Sequence, residues 1–206
     1  MTKLFLVRHG RSTANAAGVL AGHQSGVALD ERGREQAQAF AEKFPISDLK
    51  AIISSPLERC QQTASYLANR LDMKISTDER FTEMDFGIWQ GQALKDLMNE
   101  PLWQTVQNQP SQMRFPEGET FQEVAVRAAA GVGHWNDLFE SGSYAIFTHA
   151  DVIKVLVAQM IGLPLDHFQK LAIDPCSVTV LEYAHDRVVL RALNVQVEFT
   201  DSMVDS

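Results

Sequence analysis

KLFLVRHGRSTAN, Lys3 to Asn15, runs from an apolar stretch, Leu4 to Val7, straight into Arg8-His9-Gly10-Arg11-Ser12. A short continuous apolar run closed by a glycine is the pattern of a strand buried on both faces, so the basic cluster stands where that strand surfaces. The chain as a whole is acidic, with 18 Lys and Arg against 26 Asp and Glu and a formal net charge of -8, yet no acidic residue precedes Asp30. Residues 1–59 carry eight basic and six acidic side chains, a net +2, which leaves -10 for residues 60–206. Positive charge is concentrated around the opening motif, and a negative ligand is expected there.

Outward from that stretch, strand and helix alternate. A loop rich in Gly, Ser and Ala covers residues 10–28. Asp30 is placed to cap a helix on which Ala37, Phe40, Ala41 and Phe44 recur at helical spacing before Pro45. LKAIISSP (49–56) reads as a second buried strand, and the helix from Leu57 to Leu71 carries Cys60, Ala64, Leu67 and Leu71 on one stripe. A short strand near Ile75 precedes the aromatic stretch RFTEMDFGIWQG (80–91). Residues 92–118 are polar and interrupted by Pro101, Pro110 and Pro116, which assigns them to a cover or lid rather than to the core. Thr120 and Glu123 stand in capping-box spacing at the start of a long helix. SYAIFTH (143–149) is a third buried strand, DVIKVLVAQMIG (151–162) a helix ending at Gly162, and SVTVLEYAHDRVVLRALNV (177–195) a hairpin, with a frayed tail after residue 199.

Residues 1–206 are long enough for one substantial core, and 45% hydrophobic with 21% charged residues is ordinary for a single globular domain. The alternation predicts an α/β fold, a three-layer α/β/α sandwich around a mainly parallel central sheet. The acidic balance argues against a nucleic-acid surface. No apolar run reaches the length of a membrane span, and Cys60 and Cys176 fit neither a disulfide framework nor a zinc site, so a cytoplasmic protein is expected, a monomer or homodimer. The six histidines contain no HxH or HExxH pair, and GxxxxGK[ST] and GxGxxG are missing, so neither a metal nor a cofactor is expected. His134 and His185 read as surface residues.

In parallel sheets ligands gather beyond the carboxyl ends of strands, and three independent strands deliver Arg8-His9, Ser54-Ser55 leading to Arg59, and His149 to that edge. Arg8 and Arg59 are suited to clamp a phosphate monoester, because the guanidinium fork matches two phosphate oxygens at once. A neutral His9 can attack phosphorus and form a phosphohistidine, its neutral form favoured by the flanking arginines. A protonated His149 can bind the equatorial oxygens as charge shifts in the transition state. Departure of an alkoxide needs a proton, for which Glu83, set among Phe81, Met84, Phe86 and Trp89, is the candidate and Asp85 the nearest rival.

LVRHGRSTAN, SSPLERCQQTA, TEMDFGIWQG and FTHADVIK resemble the successive motifs of the histidine phosphatase superfamily, in its phosphoglycerate-mutase-like branch 1, and the pattern is similar to actinobacterial members described as phosphomutases or phosphatases. The resemblance implies a phosphoglycerate mutase-like fold, His9 as the phosphorylated nucleophile, Arg8, Arg59 and His149 as the phosphate pocket, and Glu83 as proton donor. Asn15 and Gly22 match positions that line the pocket in relatives. Three departures stand out: Arg11 where Glu or Gln is common, which adds charge beside the substrate, Ala150 where glycine is common, and Asp151 after it. An acid beside a phosphate pocket would repel, so Asp151 is expected to cap the helix of residues 152–161; pointing inward, it would discriminate among substrates.

The expected function is metal-independent hydrolysis of a small-molecule phosphate monoester. The alternative is a phosphomutase, and a third reading is a non-catalytic phospho-ligand module. Mutase relatives carry a longer insertion with several basic residues between the acid and the second histidine; here 66 positions separate Glu83 from His149, with only Lys95, Arg114 and Arg127 as Lys or Arg between them. Phe86, Trp89, Trp103 and Phe115 suggest a leaving group that is partly apolar or ring-shaped.

Overall fold

The computed structural model of the chain describes residues 1–45, 48–139, 141–184 and 187–196. Strand β1 (Thr2–Arg8) leads to the short helix α1 (Thr13–Ala17), then α2 (Glu31–Lys43), β2 (Leu49–Ser54), α3 (Glu58–Leu71) and β3 (Ile75–Thr77). The short helices α4 (Leu94–Leu97) and α5 (Trp103–Asn108) precede α6 (Phe121–Leu138), β4 (Gly142–Thr148), α7 (Ala150–Ile161), β5 (Val178–Ala184) and β6 (Arg187–Val195). The local signals act as the residues dictate. Asp30 caps α2 through the Gly33 N–H at 2.7 Å, and Thr120 and Glu123 form a reciprocal capping box on α6. Helix α1, inside the expected loop, is closed by a second such box between Ser12 and Asn15.

The six strands lie in the order β3-β2-β4-β1-β5-β6. β1, β4, β2 and β3 are mutually parallel, while β5 runs antiparallel to β1 and β6 antiparallel to β5. The mainly parallel three-layer sandwich is thus present. Alternation along β1 sets the layers: Leu4 and Leu6 join the core with residues of α6 and α7, whereas Phe5 and Val7 join the core with residues of α2 and α3. Both faces are buried, each fully buried Leu, Val or Phe contributing about 1.5–3 kcal/mol.

Residues 92–118 are more than a cover. Leu97, Val106, Met113 and Phe115 are buried in the same cluster as Phe121 and Val124 of α6, while Met98 and Leu102 remain exposed. The polar composition hid an apolar inner side spaced over several short elements, too irregular for a single helical period. No helix among the described residues is long and apolar enough to cross a membrane. His134 is exposed. His185 and the tail after residue 199 lie outside the described residues.

Candidate active site

Register places the site. Arg8 is paired with Thr148 in adjacent parallel strands, so the next residues, His9 and His149, leave the sheet side by side, with ring centroids 5.2 Å apart. Ser54 is paired with Phe147 one strand over, so Ser55 emerges at the same level. Arg59 enters from the first turn of α3 and is 2% exposed. Arg8, His9, Asn15, Gly22, Arg59, Glu83 and Ala150 all line one cavity of about 130 Å³.

His9 has a defined tautomer. Its Nδ1 lies 2.7 Å from the Gly10 carbonyl, which can only accept, so Nδ1 carries the proton and Nε2 keeps a free lone pair. Burial first, then Arg59 and Arg8, hold its pKa well below the usual 6.5. Glycine at position 10 is required by space, since a Cβ there would come within 2.6 Å of the Gly33 carbonyl. The Gly10 N–H donates to Thr63 Oγ1, which in turn donates to the Arg59 carbonyl, tying the loop after β1 to α3.

Both arginines are anchored by one arm. Arg8 Nη1 donates to the Ile173 carbonyl at 2.6 Å, and Arg59 Nη2 to the Gly22 carbonyl at 2.9 Å. Arg8 Nε and Arg59 Nη1 are buried with no hydrogen-bond partner among the described residues. A buried guanidinium N–H without a partner costs about 1–3 kcal/mol or more, and a phosphate oxygen would satisfy each. Burial lowers the Arg8 pKa from its ordinary value, with Glu83 opposing, but guanidinium remains charged.

Glu83 is partly sheltered, its side chain 13% exposed, with Oε1 accepting from the Met84 N–H at 3.0 Å. Burial and then the charge of Asp151 raise its pKa to about 7, against the pull of Arg59 and Arg8. That is the range a proton donor needs near neutral pH. Its rival, Asp85, accepts from the Gly87 N–H and Gln90 Nε2 and serves the local turn instead.

The Glu83 backbone is held by residues that sequence reasoning missed. Arg127 of α6 donates from Nη1 to the Arg80 and Thr82 carbonyls at 2.8 Å and from Nη2 to the Glu83 carbonyl at 3.0 Å. Its Nε and Nη2 also grip Glu119 at 2.8 and 2.9 Å. His23 Nε2 reaches the same Glu83 carbonyl. Nothing in the local sequence marks Arg127, which stands 44 positions from the carbonyl it orients.

His149 is fully buried, with Nε2 2.9 Å from Ser55 Oγ and Nδ1 3.5 Å from Glu83 Oε2. Burial, followed by Arg59, keeps its pKa well below 6.5, so the ring is neutral at pH 7 in this structure. The imidazolium expected with phosphate bound would need the negative charge of the incoming dianion, which favours the charged form. Cys60 packs beneath it, Sγ 3.4 Å from Nε2, and burial pushes that thiol up to about 12. The Cys60 thiol is therefore protonated at neutral pH.

Four sequence expectations need correction or refinement. Arg11 does not reach the cavity, because its Nε is 2.6 Å from Asp30 Oδ2, tying the loop to the start of α2. Asn15 is in the cavity wall, its Oδ1 already accepting from the Ser12 N–H. Gly22, with φ +50°, lines the cavity, and its carbonyl accepts from Arg59 Nη2. Asp151 is not a cap: His149 occupies the cap position, α7 starts at Ala150, and Asp151 in the first turn lines the cavity. The α7 N-terminus adds its partial positive charge to the same cavity.

Unprotonated imidazole nitrogen, paired guanidinium donors and a carboxyl poised near neutrality answer in turn the phosphorus, the oxygens and the leaving group of a phosphate ester. The fold and site define an enzyme acting on phosphate esters. The family model described as "Histidine phosphatase superfamily (branch 1)" matches residues 4–196, and the chain belongs to that superfamily, whose members are phosphatases or mutases. A protein from Enterobacter sp. (strain 638) named "Probable phosphoglycerate mutase GpmB" is 32% identical over 185 residues, 89% of this chain and 86% of that protein. "Phosphoserine phosphatase 1" of Hydrogenobacter thermophilus is 27% identical over 214 residues, 100% of this chain and 98% of that one. Among solved structures, Bacillus stearothermophilus YhfR superposes with a TM-score of 0.89 at 28% identity, covering 96% of this chain and 99% of its own.

Proposed function

We propose that the chain is a phosphatase that hydrolyses a small-molecule phosphate monoester through a phosphohistidine on His9, without a metal ion. The observation that carries this reading is the pairing of a free His9 Nε2 with the unpartnered Arg8 Nε and Arg59 Nη1 in one cavity. Nε2 attacks phosphorus while the ester P–O bond breaks; Arg8, Arg59, His149 and the α7 N-terminus hold the non-bridging oxygens, and protonated Glu83 delivers its proton to the departing oxygen. In the second step the Glu83 carboxylate takes a proton from water as its oxygen bonds to phosphorus, the N–P bond breaks, and phosphate leaves. Two guanidinium groups supply the charge neutralisation that a metal would otherwise give.

The mutase alternative sends the phosphoryl group to a bound hydroxyl, and the name of the Enterobacter relative keeps it in view. Hydrolysis is favoured by the charge of the walls. Arg114 is 60% exposed and paired with Glu123, Arg127 is committed to Glu119 and three carbonyls, and the cavity carries Asp151 in addition to Glu83. Little cation is left for the carboxylate of a phosphoglycerate.

The test is acid-quenched incubation with 32P-labelled phenyl phosphate in a chelator. Acid-labile, base-stable label on His9 and phosphate release support the reading; label on serine, or turnover that disappears with chelator, overturns it. With phosphoglycerates, isomer interconversion exceeding phosphate release would assign the mutase instead.

A further inference from the structure

The phosphate cavity adjoins a second cavity of about 110 Å³, and Phe86, Leu20, Leu94 and Asp151 line both. The walls beyond are rings. Trp89 and Trp103 stack with centroids 6.3 Å apart, and Phe115 meets Trp89 edge-on at 5.3 Å and Phe86 at 5.0 Å. Gln107 and Gln169 are the polar residues of this chamber besides Asp151, and no Lys or Arg lines it among the described residues.

Asp151 stands at the neck. It pairs with Lys154, one turn along α7 at 3.8 Å, whose ammonium also donates to Gln169 Oε1 at 3.1 Å. The Lys154 charge is thus spent on Asp151 and sits outside the lining of both cavities. A substrate whose phosphate is held by Arg8 and Arg59 must pass its leaving group beside the Asp151 carboxylate. A second anion there meets like charge in a partly dry setting, whereas a hydroxyl or ammonium meets an acceptor.

Resting on the phosphatase reading above, we propose that Asp151 and the aromatic chamber form the leaving-group subsite. It selects phosphate monoesters with a flat, apolar, neutral or cationic leaving group and rejects leaving groups that carry a carboxylate or second phosphate near the ester. Asp151 is the gate of this selection, and Trp103, partly exposed at the mouth, is the platform on which the apolar body lies.

Non-hydrolysable phosphonates test the subsite independently of turnover. Methylphosphonate, benzylphosphonate and the 3-carboxy and 3-aminomethyl benzylphosphonates would be titrated calorimetrically into the whole protein and its Asp151→Asn and Trp103→Ala variants. Benzylphosphonate should bind about tenfold or more tighter than methylphosphonate, from ring burial. The 3-carboxy compound should bind about tenfold weaker than its neutral parent in the native protein, and Asp151→Asn should remove most of that penalty. Trp103→Ala should abolish the benzyl preference while methylphosphonate still binds. Equal carboxylate penalties in the native and Asp151→Asn proteins, equal affinity for methyl and benzyl compounds, or failure of all the phosphonates to bind would overturn the subsite. Phenyl phosphate turnover is read in parallel. Discriminating phosphonate binding without turnover defeats the phosphatase reading alone, and turnover without discrimination defeats the subsite alone.

Discussion

His9 and His149 face each other edge to face at 5.2 Å because the residues before them, Arg8 and Thr148, are register partners in neighbouring parallel strands. The backbone repeats the link, the His9 N–H donating to the Thr148 carbonyl at 3.0 Å. Two side chains 140 positions apart are thereby set by sheet geometry rather than by loop conformation. A one-residue slip between β1 and β4 would turn one histidine to the opposite face.

His9→Ala should abolish the phosphoenzyme and reduce kcat by roughly 10³-fold or more, since nucleophile and pocket act as a unit. Rapid quench and steady-state turnover check it. Vanadate should still bind to the Arg8–Arg59 pair in this variant, separating loss of chemistry from loss of the pocket.

The pH dependence follows from opposite shifts. His9 is held below 6.5 and must be neutral to attack, so the acid limb of kcat/KM lies below that value. Glu83 is raised from 4.5 to about 7 and must be protonated to donate, so activity falls as pH rises through about 7. Glu83→Gln should remove that basic limb and slow a poor leaving group such as phenol by about 10²–10⁴-fold, with a smaller effect on 4-nitrophenol. A limb near 7 that persists in Glu83→Gln would reassign the donor.

The same shifts govern stability. A raised carboxyl pKa gives a contribution present below the ordinary 4.5 and lost as pH climbs through about 7. The lowered histidine values of His9 and His149 give contributions present above 6.5 and lost as pH falls below it. Denaturant midpoints should therefore drop below pH 6.5 in the native protein. They should drop less in a His9→Phe, His149→Phe double variant that retains the fold.

Arg127→Lys should lower kcat by about ten- to a hundredfold through misplacement of Glu83, while vanadate affinity stays nearly constant. A lysine cannot span Glu119 and three carbonyls. If Arg127 were merely structural, kcat and vanadate binding would fall together and the basic limb would not move.

Arg11→Gln should alter kcat/KM equally for singly and multiply charged phosphates, within about twofold, since this guanidinium is engaged with Asp30 outside the cavity and an exposed pair contributes only about 0–1 kcal/mol. A selective loss for polyanionic substrates would show that Arg11 leaves Asp30 to meet the ligand.

The sequence alone determined the layers, because a run such as Leu4 to Val7 can only be buried on both faces and must alternate between two helix layers. It also pointed to His9, Arg8, Arg59, Glu83 and His149, since each lies at a strand end or in a distinctive local motif; the first four line one cavity, and His149 is fully buried, its Nδ1 3.5 Å from Glu83 Oε2. Tertiary structure alone decided the rest. Arg11 looked like a substrate residue because charge is visible in sequence while its partner, Asp30 at 19 positions, is not. Asp151 looked like a cap because helix propensity cannot place a start to within two residues, yet that shift turns its carboxylate into the cavity. Arg127 and His23 act through contacts 44 and 60 positions distant, and the inward side of residues 92–118 joins a cluster that also holds residues of β1, β4 and α7; no periodicity or motif encodes such contacts until the sheet has brought its strands together.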